Sequence, residues 1–144
     1  MAAPPARPRP RPTPVAQPFW DGLRNEQVRL QRCDDCSAWV YYPRVRCPVC
    51  LSPRLSWHDV DGNGAVFTFT IARQATAPAF VDDVPQLLAV VELDLGVRVT
   101  STLVDVEPER IRVGLRVSPV FDHGDDGVTM LRFRPAAEQA GSTR

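Results

Sequence analysis

Four cysteines carry the clearest chemistry in this chain. They fall as Cys33-Asp34-Asp35-Cys36 and Cys47-Pro48-Val49-Cys50, a C-x2-C-x10-C-x2-C arrangement. Each pair puts two sulfurs on one tight turn, and the ten residues between the pairs can form a hairpin that brings them together. Four thiolates so placed suit Zn2+ in a closed tetrahedral site, which is structural because no coordination position is left for a substrate. Residues 33–50 are too few to bury a core, and a bound metal answers how so small a module folds. Three rivals share parts of the pattern. Two disulfides need an oxidising compartment, and a thioredoxin-like pair explains one C-x-x-C but not two. A rubredoxin-like iron site uses similar knuckles. The expectation is zinc on Cys33, Cys36, Cys47 and Cys50. Four thiolates around one dication leave about −2 of charge, and Arg32, Arg44 and Arg46 flank the knuckles in sequence, where they could offset it.

The other reactive side chains form no catalytic set. His58 lies in a strand-like run without a carboxylate or cysteine at ligand spacing, and reads as a packed or half-exposed histidine. His123 lies in a turn rich in glycine and aspartate and reads as solvated. There is no G-x-S-x-G, P-loop or Rossmann glycine pattern. The acid pairs Asp82-Asp83 and Asp125-Asp126 fall in loop signals, where solvated charge is the simpler reading. Self-contained catalysis is therefore not expected.

The elements that must position the cysteines are short. Phe19, Trp20 and Leu23 have helical spacing directly after Pro18, so a short amphipathic helix opens the folded part, with Gly22 weakening it. Residues 28–60 read as short strands around the two cysteine pairs, at 28–32, 38–42 and 54–60. After the turn signal Asp61-Gly62-Asn63-Gly64, strand-like runs follow at 65–73, 86–93, 97–104, 116–121 and 128–133. Five short strands with turn chemistry between them indicate a small barrel, for which the OB-fold is the commonest five-stranded form. Phe67 and Phe69 alternate on one strand and are expected to fill its interior. The organisation expected is a disordered arm over 1–18, a helix and zinc ribbon over 19–59, a barrel over 60–135 and a tail over 136–144.

Composition narrows the function. The chain has 144 residues and a formal net charge of zero, with 17 basic and 17 acidic side chains. That length suits one ordinary domain or two very small ones. All the basic residues are arginine, and seven of the 15 prolines fall in the first 18 positions. Such a Pro/Arg stretch cannot build helix or ladder, and reads as a disordered tail, or as a docking arm if it has a function. The longest apolar run, 87–91, is far short of the roughly 20 residues that cross a membrane. No apolar stretch follows the N-terminal arginines, so a cytoplasmic location is expected. Ribbons and OB barrels often bind nucleic acid, but residues 60–135 carry seven arginines against eleven acids, the wrong sign for tracking phosphates.

The motifs taken in order resemble the zinc-ribbon/OB-fold acyl-CoA-associated proteins. The matching stretches are F-W-x-G-L at 19–23, L-Q-R-C-x-x-C at 30–36 and C-P-x-C at 47–50. They continue with V-x-G-x-G-x-V-F-x-F-T at 60–70, A-P-A-F at 77–80, P-x-x-x-A-x-V-E-L-D at 85–94 and D-D-G-V-T-x-x-R-F-R-P at 125–135. The resemblance spans about residues 19–135 and leaves the Pro/Arg arm outside. It implies a mainly β chain: an N-terminal helix, a rubredoxin-like zinc ribbon and a five-stranded OB-fold. It further implies a non-catalytic accessory subunit in lipid or steroid metabolism or polyketide-type acyl transfer. Its partners would be thiolase-like enzymes, steroid side-chain aldolases, hydratases or ketosynthase-like acyltransferases. Such a subunit helps to bind acyl-CoA or form its channel. The pantetheine arm of a CoA thioester suits an apolar slot, and its phosphates suit arginine forks. Phe19, Trp20, Tyr42 and Phe80 are candidates for the slot or a partner interface, and Arg44, Arg46 and Arg73 for the phosphates. The competing classes are a single-stranded nucleic-acid adaptor and an independent acyl-CoA lyase or hydratase.

Overall fold

The computed structural model describes residues 6–137. Helix α1 spans Gln17–Arg24, with Pro18 in its first turn, where a missing N–H costs nothing. Phe19, Gly22 and Leu23 face inward. A Cβ on Gly22 would stand 2.9 Å from the Gln27 carbonyl oxygen and 3.0 Å from Arg29 Cβ. The glycine that weakens the helix in isolation is thus what lets it lie against the following strand.

The ribbon sheet is β1 (Val28–Cys33), β2 (Trp39–Val40) and β3 (Leu55–Val60), in the antiparallel order β2-β1-β3. The second sheet contains β4 (Gly64–Ala72), β5 (Gln86–Leu93), β6 (Arg98–Thr102), β7 (Arg116–His123) and β8 (Thr129–Pro135), in the order β6-β5-β4-β7-β8. Its two edge strands meet. Leu103 bridges Phe133 in parallel, the Val104 amide donates to the Phe133 carbonyl at 2.8 Å, and Ser101 Oγ donates to the Leu131 carbonyl at 2.6 Å. Those contacts close the sheet into the expected five-stranded barrel and remove its free edges.

One expectation about the barrel fails. Register shifts between Val66 and Thr68 of β4. The extra residue of this β-bulge breaks the period of two, so Phe67 and Phe69 do not share a face. Phe69 packs against the core, whereas Phe67 is 43% exposed with the Arg98 guanidinium 3.7 Å above its ring.

A single hydrophobic core runs through both sheets. It joins Phe19 and Leu23 of the helix and Val28 and Leu30 of β1 to Val66, Val91, Val117 and Phe133 of the barrel. The ribbon's base is thereby built into the barrel's core rather than linked to it as a separate module.

The arm expected to be disordered over 1–18 is held over the part described, while residues 1–5 lie outside it. Pro14–Ala16 form one turn of 3-10 helix leading into α1. Arg7 pairs with Asp83 and Arg9 with Asp126. The expectation that this stretch builds no helix fails at its end, where Pro14 and Pro18 sit in first turns that need no proline N–H, and proline chemistry does not prevent side-chain anchoring of the rest. Of the expected tail, Ala136 continues the β7–β8 pairing through its amide to the Arg116 carbonyl at 2.9 Å, and 138–144 lie outside the described residues. No helix among the described residues is long and apolar enough to cross a membrane.

Candidate metal centre and its surroundings

The cysteine turns sit where β1 ends and β2 and β3 begin. Both turns are built alike. The Ser37 amide donates to the Cys33 carbonyl and the Leu51 amide to the Cys47 carbonyl, each at 2.9 Å. The residue after each pair, Ser37 or Leu51, takes a left-handed conformation with φ of 64° and 65°. This repeated turn aims amides at sulfur, as with the Val49 amide 3.3 Å from Cys47 Sγ.

All four sulfurs lie within 4.8 Å of one another, with Cys33–Cys50 at 3.5 Å and Cys36–Cys47 at 3.6 Å. A Zn–S bond of about 2.3 Å in a tetrahedron requires sulfur edges of about 3.8 Å. The donor set fits. The amides of Cys50 and Val49 favour the charged form of Cys47 and bring its thiol down to about 7. Cys50 is pushed up to about 12, because desolvation and the neighbouring sulfurs of Cys33, Cys36 and Cys47 together outweigh the Ser52 amide that favours its thiolate. Four thiolates this close need a cation between them.

The surrounding polar groups secure the turns. Gln31 is a buried residue whose amide spans the backbone of Arg44: Nε2 donates to the Arg44 carbonyl at 2.9 Å, and Oε1 accepts from the Arg44 amide at 2.8 Å. Asp35 binds both Arg54 and Ser52 across the knuckles. Arg46 donates to the Leu51 carbonyl at 3.1 Å, and Arg32 donates to the Ser37 carbonyl at 3.1 Å while stacking over Trp39. These arginines fix the turns through carbonyl oxygens as well as adding positive charge near the sulfurs.

The candidate slot residues divide into two groups. Phe19 is core, 2% exposed, and packs edge-on against Trp20, Tyr41 and Tyr42. It supports the aromatic cluster from beneath and does not line a slot. Above it Trp20 Nε1 donates to the Tyr42 hydroxyl at 2.9 Å, and burial pushes the Tyr41 phenol up to about 12. Tyr42, Arg44 and Arg46 are exposed on the loop entering the second knuckle. Arg73, exposed just beyond β4, and half-buried Phe80, in the 3-10 segment Pro78–Asp83, belong to the barrel and make none of these contacts.

Sequence reasoning missed the most conspicuous feature here. Val45, Val49 and Leu51 are 72%, 72% and 67% exposed around the second knuckle, beside Tyr42 at 39%. The usable signal was apolar residues inside a loop too short to fold inward. The histidines are better connected than expected. His58 is exposed, with Nε2 3.0 Å from Ser56 Oγ. His123 lies 2.9 Å from Thr129 Oγ1 and 3.1 Å from Glu26 Oε1, tying the end of α1 to the barrel.

Comparison with known proteins agrees with this architecture. Residues 20–56 match the family described as ChsH2, rubredoxin-like zinc ribbon domain, and residues 57–122 match ChsH2, C-terminal OB-fold domain. A DUF35 domain-containing scaffold protein of Methanocaldococcus jannaschii is 34% identical over 113 residues, covering 72% of this chain and 78% of that protein. A probable enoyl-CoA hydratase alpha subunit of Thermomonospora curvata is 32% identical over 127 residues and 86% of this chain, which spans only 39% of that subunit. A chain from the solved structure of the Ltp2-ChsH2(DUF35) aldolase superposes with a TM-score of 0.80 at 29% identity, covering 90% of this chain and 100% of that one. With a ribbon and barrel matched in tandem and a scaffold protein 34% identical over 78% of its length, the chain belongs to the ChsH2-like, DUF35-domain family of zinc-ribbon/OB-fold proteins.

Proposed function

We propose that this chain is a non-catalytic accessory subunit, acting in the cytoplasm, that docks on a thiolase-like, aldolase, hydratase or acyltransferase enzyme and helps to hold acyl-CoA or form its channel. The observation that carries this reading is the apolar tip of the second knuckle. Val49 and Leu51 are exposed on the turn fixed by the Cys47 geometry, and Tyr42 and Val45 on the loop that enters it. Exposed apolar groups clustered on one surface mark interaction sites, and the tyrosine and arginines beside them are residue types enriched at protein–protein hot spots. The names of the relatives support the same reading: one is a scaffold protein, one a probable enoyl-CoA hydratase alpha subunit, and one a chain of the Ltp2-ChsH2(DUF35) aldolase.

The metal's role in this reading is mechanical. Zn2+ held by Cys33, Cys36, Cys47 and Cys50 would offset part of the charge on the sulfurs and fix the tip. Trp20 and Tyr42 offer an apolar wall beside it, and Arg44 and Arg46 offer guanidinium groups for CoA phosphates at the shared interface. A nucleic-acid role has less support, since Phe67 and Phe69 lie on opposite faces and Arg98 already covers the exposed ring.

The test is co-expression with a thiolase-like, aldolase, hydratase or acyltransferase enzyme from the same genome. Val49→Asp with Leu51→Asp should abolish co-purification while zinc content and tryptophan emission stay unchanged. Retention of the complex by that variant, or no complex with the parent chain, would overturn the reading.

A further inference from the structure

Residues 6–13 lie outside the matched family regions, yet they run across the barrel. Arg9 forks onto Asp126 in the β7–β8 turn, with Nε to Oδ2 at 2.8 Å and Nη2 to Oδ1 at 3.1 Å, and Nη2 also donates to the Val128 carbonyl at 3.0 Å. Arg7 donates to Asp83, at the end of the 3-10 segment, at 2.7 Å. The arm thus bridges two loops, over a groove of about 500 Å3 whose apolar wall includes Phe80, Leu87, Leu103 and Met130, with Pro8 on the arm side.

The barrel face is shaped for this arm. Gly124 leaves room for the Arg9 guanidinium, with which a Cβ there would collide. Asp83 and Asp126 are the carboxylates that complement Arg7 and Arg9, whereas Asp122 beside them is paired with Arg132 of the same groove. Pro8, Pro10 and Pro12 hold the arm extended and deny it ladder hydrogen bonds. Among the described residues, no backbone hydrogen bond ties 6–12 to the barrel. Side chains alone hold it, so it can leave without unfolding anything.

We propose that the barrel face bordering this groove, from Asp83 to Asp126, is a recognition site for an extended Pro/Arg segment, engaged in cis by the chain's own arm, which forms the groove's outer wall. The site reads two guanidinium groups spaced two residues apart against Asp83 and Asp126, with the exposed Pro8 between them keeping the segment extended. A short tether supplies an effective concentration of roughly millimolar, so a contact too weak to bind tightly between molecules is still filled within one. This site is separate from the knuckle tip and stands whether or not the acyl-CoA reading holds.

The test uses the full chain and a synthetic peptide of residues 6–13, followed by backbone amide shifts. Replacing Arg7 and Arg9 with Ala in the chain should move the amides of Asp83, Leu87, Val128 and Thr129. Adding the wild-type peptide to that variant should return those shifts towards the parent values. A peptide carrying Arg9→Ala should bind about two- to fivefold more weakly, the loss of one exposed pair. Arg9→Asp with Asp126→Arg in one chain should restore the latched spectrum. Unmoved shifts in the double-Ala variant, or equal binding of the two peptides, would overturn the proposal.

Discussion

Removing the metal should unfold the knuckles and leave the barrel standing. Between residues 33 and 54 only Cys33, Val40, Pro43 and Cys47 are buried. Ordering those 22 residues costs on the order of 20 kcal/mol at about 1 kcal/mol of backbone entropy each. Burial of Val40 returns about 2 kcal/mol, and four thiolates on Zn2+ bring about 10–16 kcal/mol. The metal is the largest favourable contribution to that segment. The barrel needs none of it, since Val66, Val91, Val99, Val117 and Phe133 are buried within its own strands. Two probes separate the halves. All three tryptophans, Trp20, Trp39 and Trp57, lie in the helix and ribbon, so their emission reports that half only. Amide exchange covers both. A strong chelator, or Cys47→Ser, should shift tryptophan emission towards that of exposed indole and release the amides of Cys33, Cys47 and Leu51. The amides of Val66 and Val104 should stay protected. Unchanged emission and protection in protein shown to be metal-free would refute the reasoning, as would purified protein containing no zinc.

Two further outcomes follow from the barrel. Phe133 is fully buried beside the β6–β8 seam, so Phe133→Ala should lower stability by about 3–5 kcal/mol in urea unfolding followed by far-ultraviolet circular dichroism. A loss below about 1 kcal/mol would show that the seam is not part of the core. Arg116 donates to both oxygens of Asp94, at 2.7 and 2.9 Å, and holds its carboxyl below the ordinary value of 3.8. Because the folded value is the lower one, the small stabilisation is complete above 3.8 and lost as pH falls through the folded value. Arg116→Ala should return Asp94 to near 3.8 in a carboxyl-carbon titration, and an unmoved value would remove Arg116 as the cause.

The strand positions were legible because their causes are local. Expected runs at 86–93 and 116–121 became Gln86–Leu93 and Arg116–His123, since alternation and the glycine turns act over a few residues. The helix was legible from Pro18 and the spacing of Phe19, Trp20 and Leu23. Its glycine was not, because the reason for Gly22 lies in Gln27 and Arg29 across a packing contact. Phe67 was misplaced for a related reason: one bulged residue reverses the faces of β4, and a bulge leaves no mark in the alternation itself.

The sequence by itself determined the chemistry of the ribbon, since C-x2-C-x10-C-x2-C prescribes two knuckles and a thiolate set wherever it folds. It also determined the barrel's strands, through period-two burial and local turn residues. Only the tertiary structure decided what surrounds them. It merged Phe19, Leu23, Val28 and Leu30 into the barrel core, left Val45, Val49 and Leu51 facing outward, and brought Arg9 to Asp126 across 117 residues of chain. Each depends on distance in space rather than in sequence. An arginine-rich arm and an acidic loop look like separate solvated segments until the closed barrel sets them side by side.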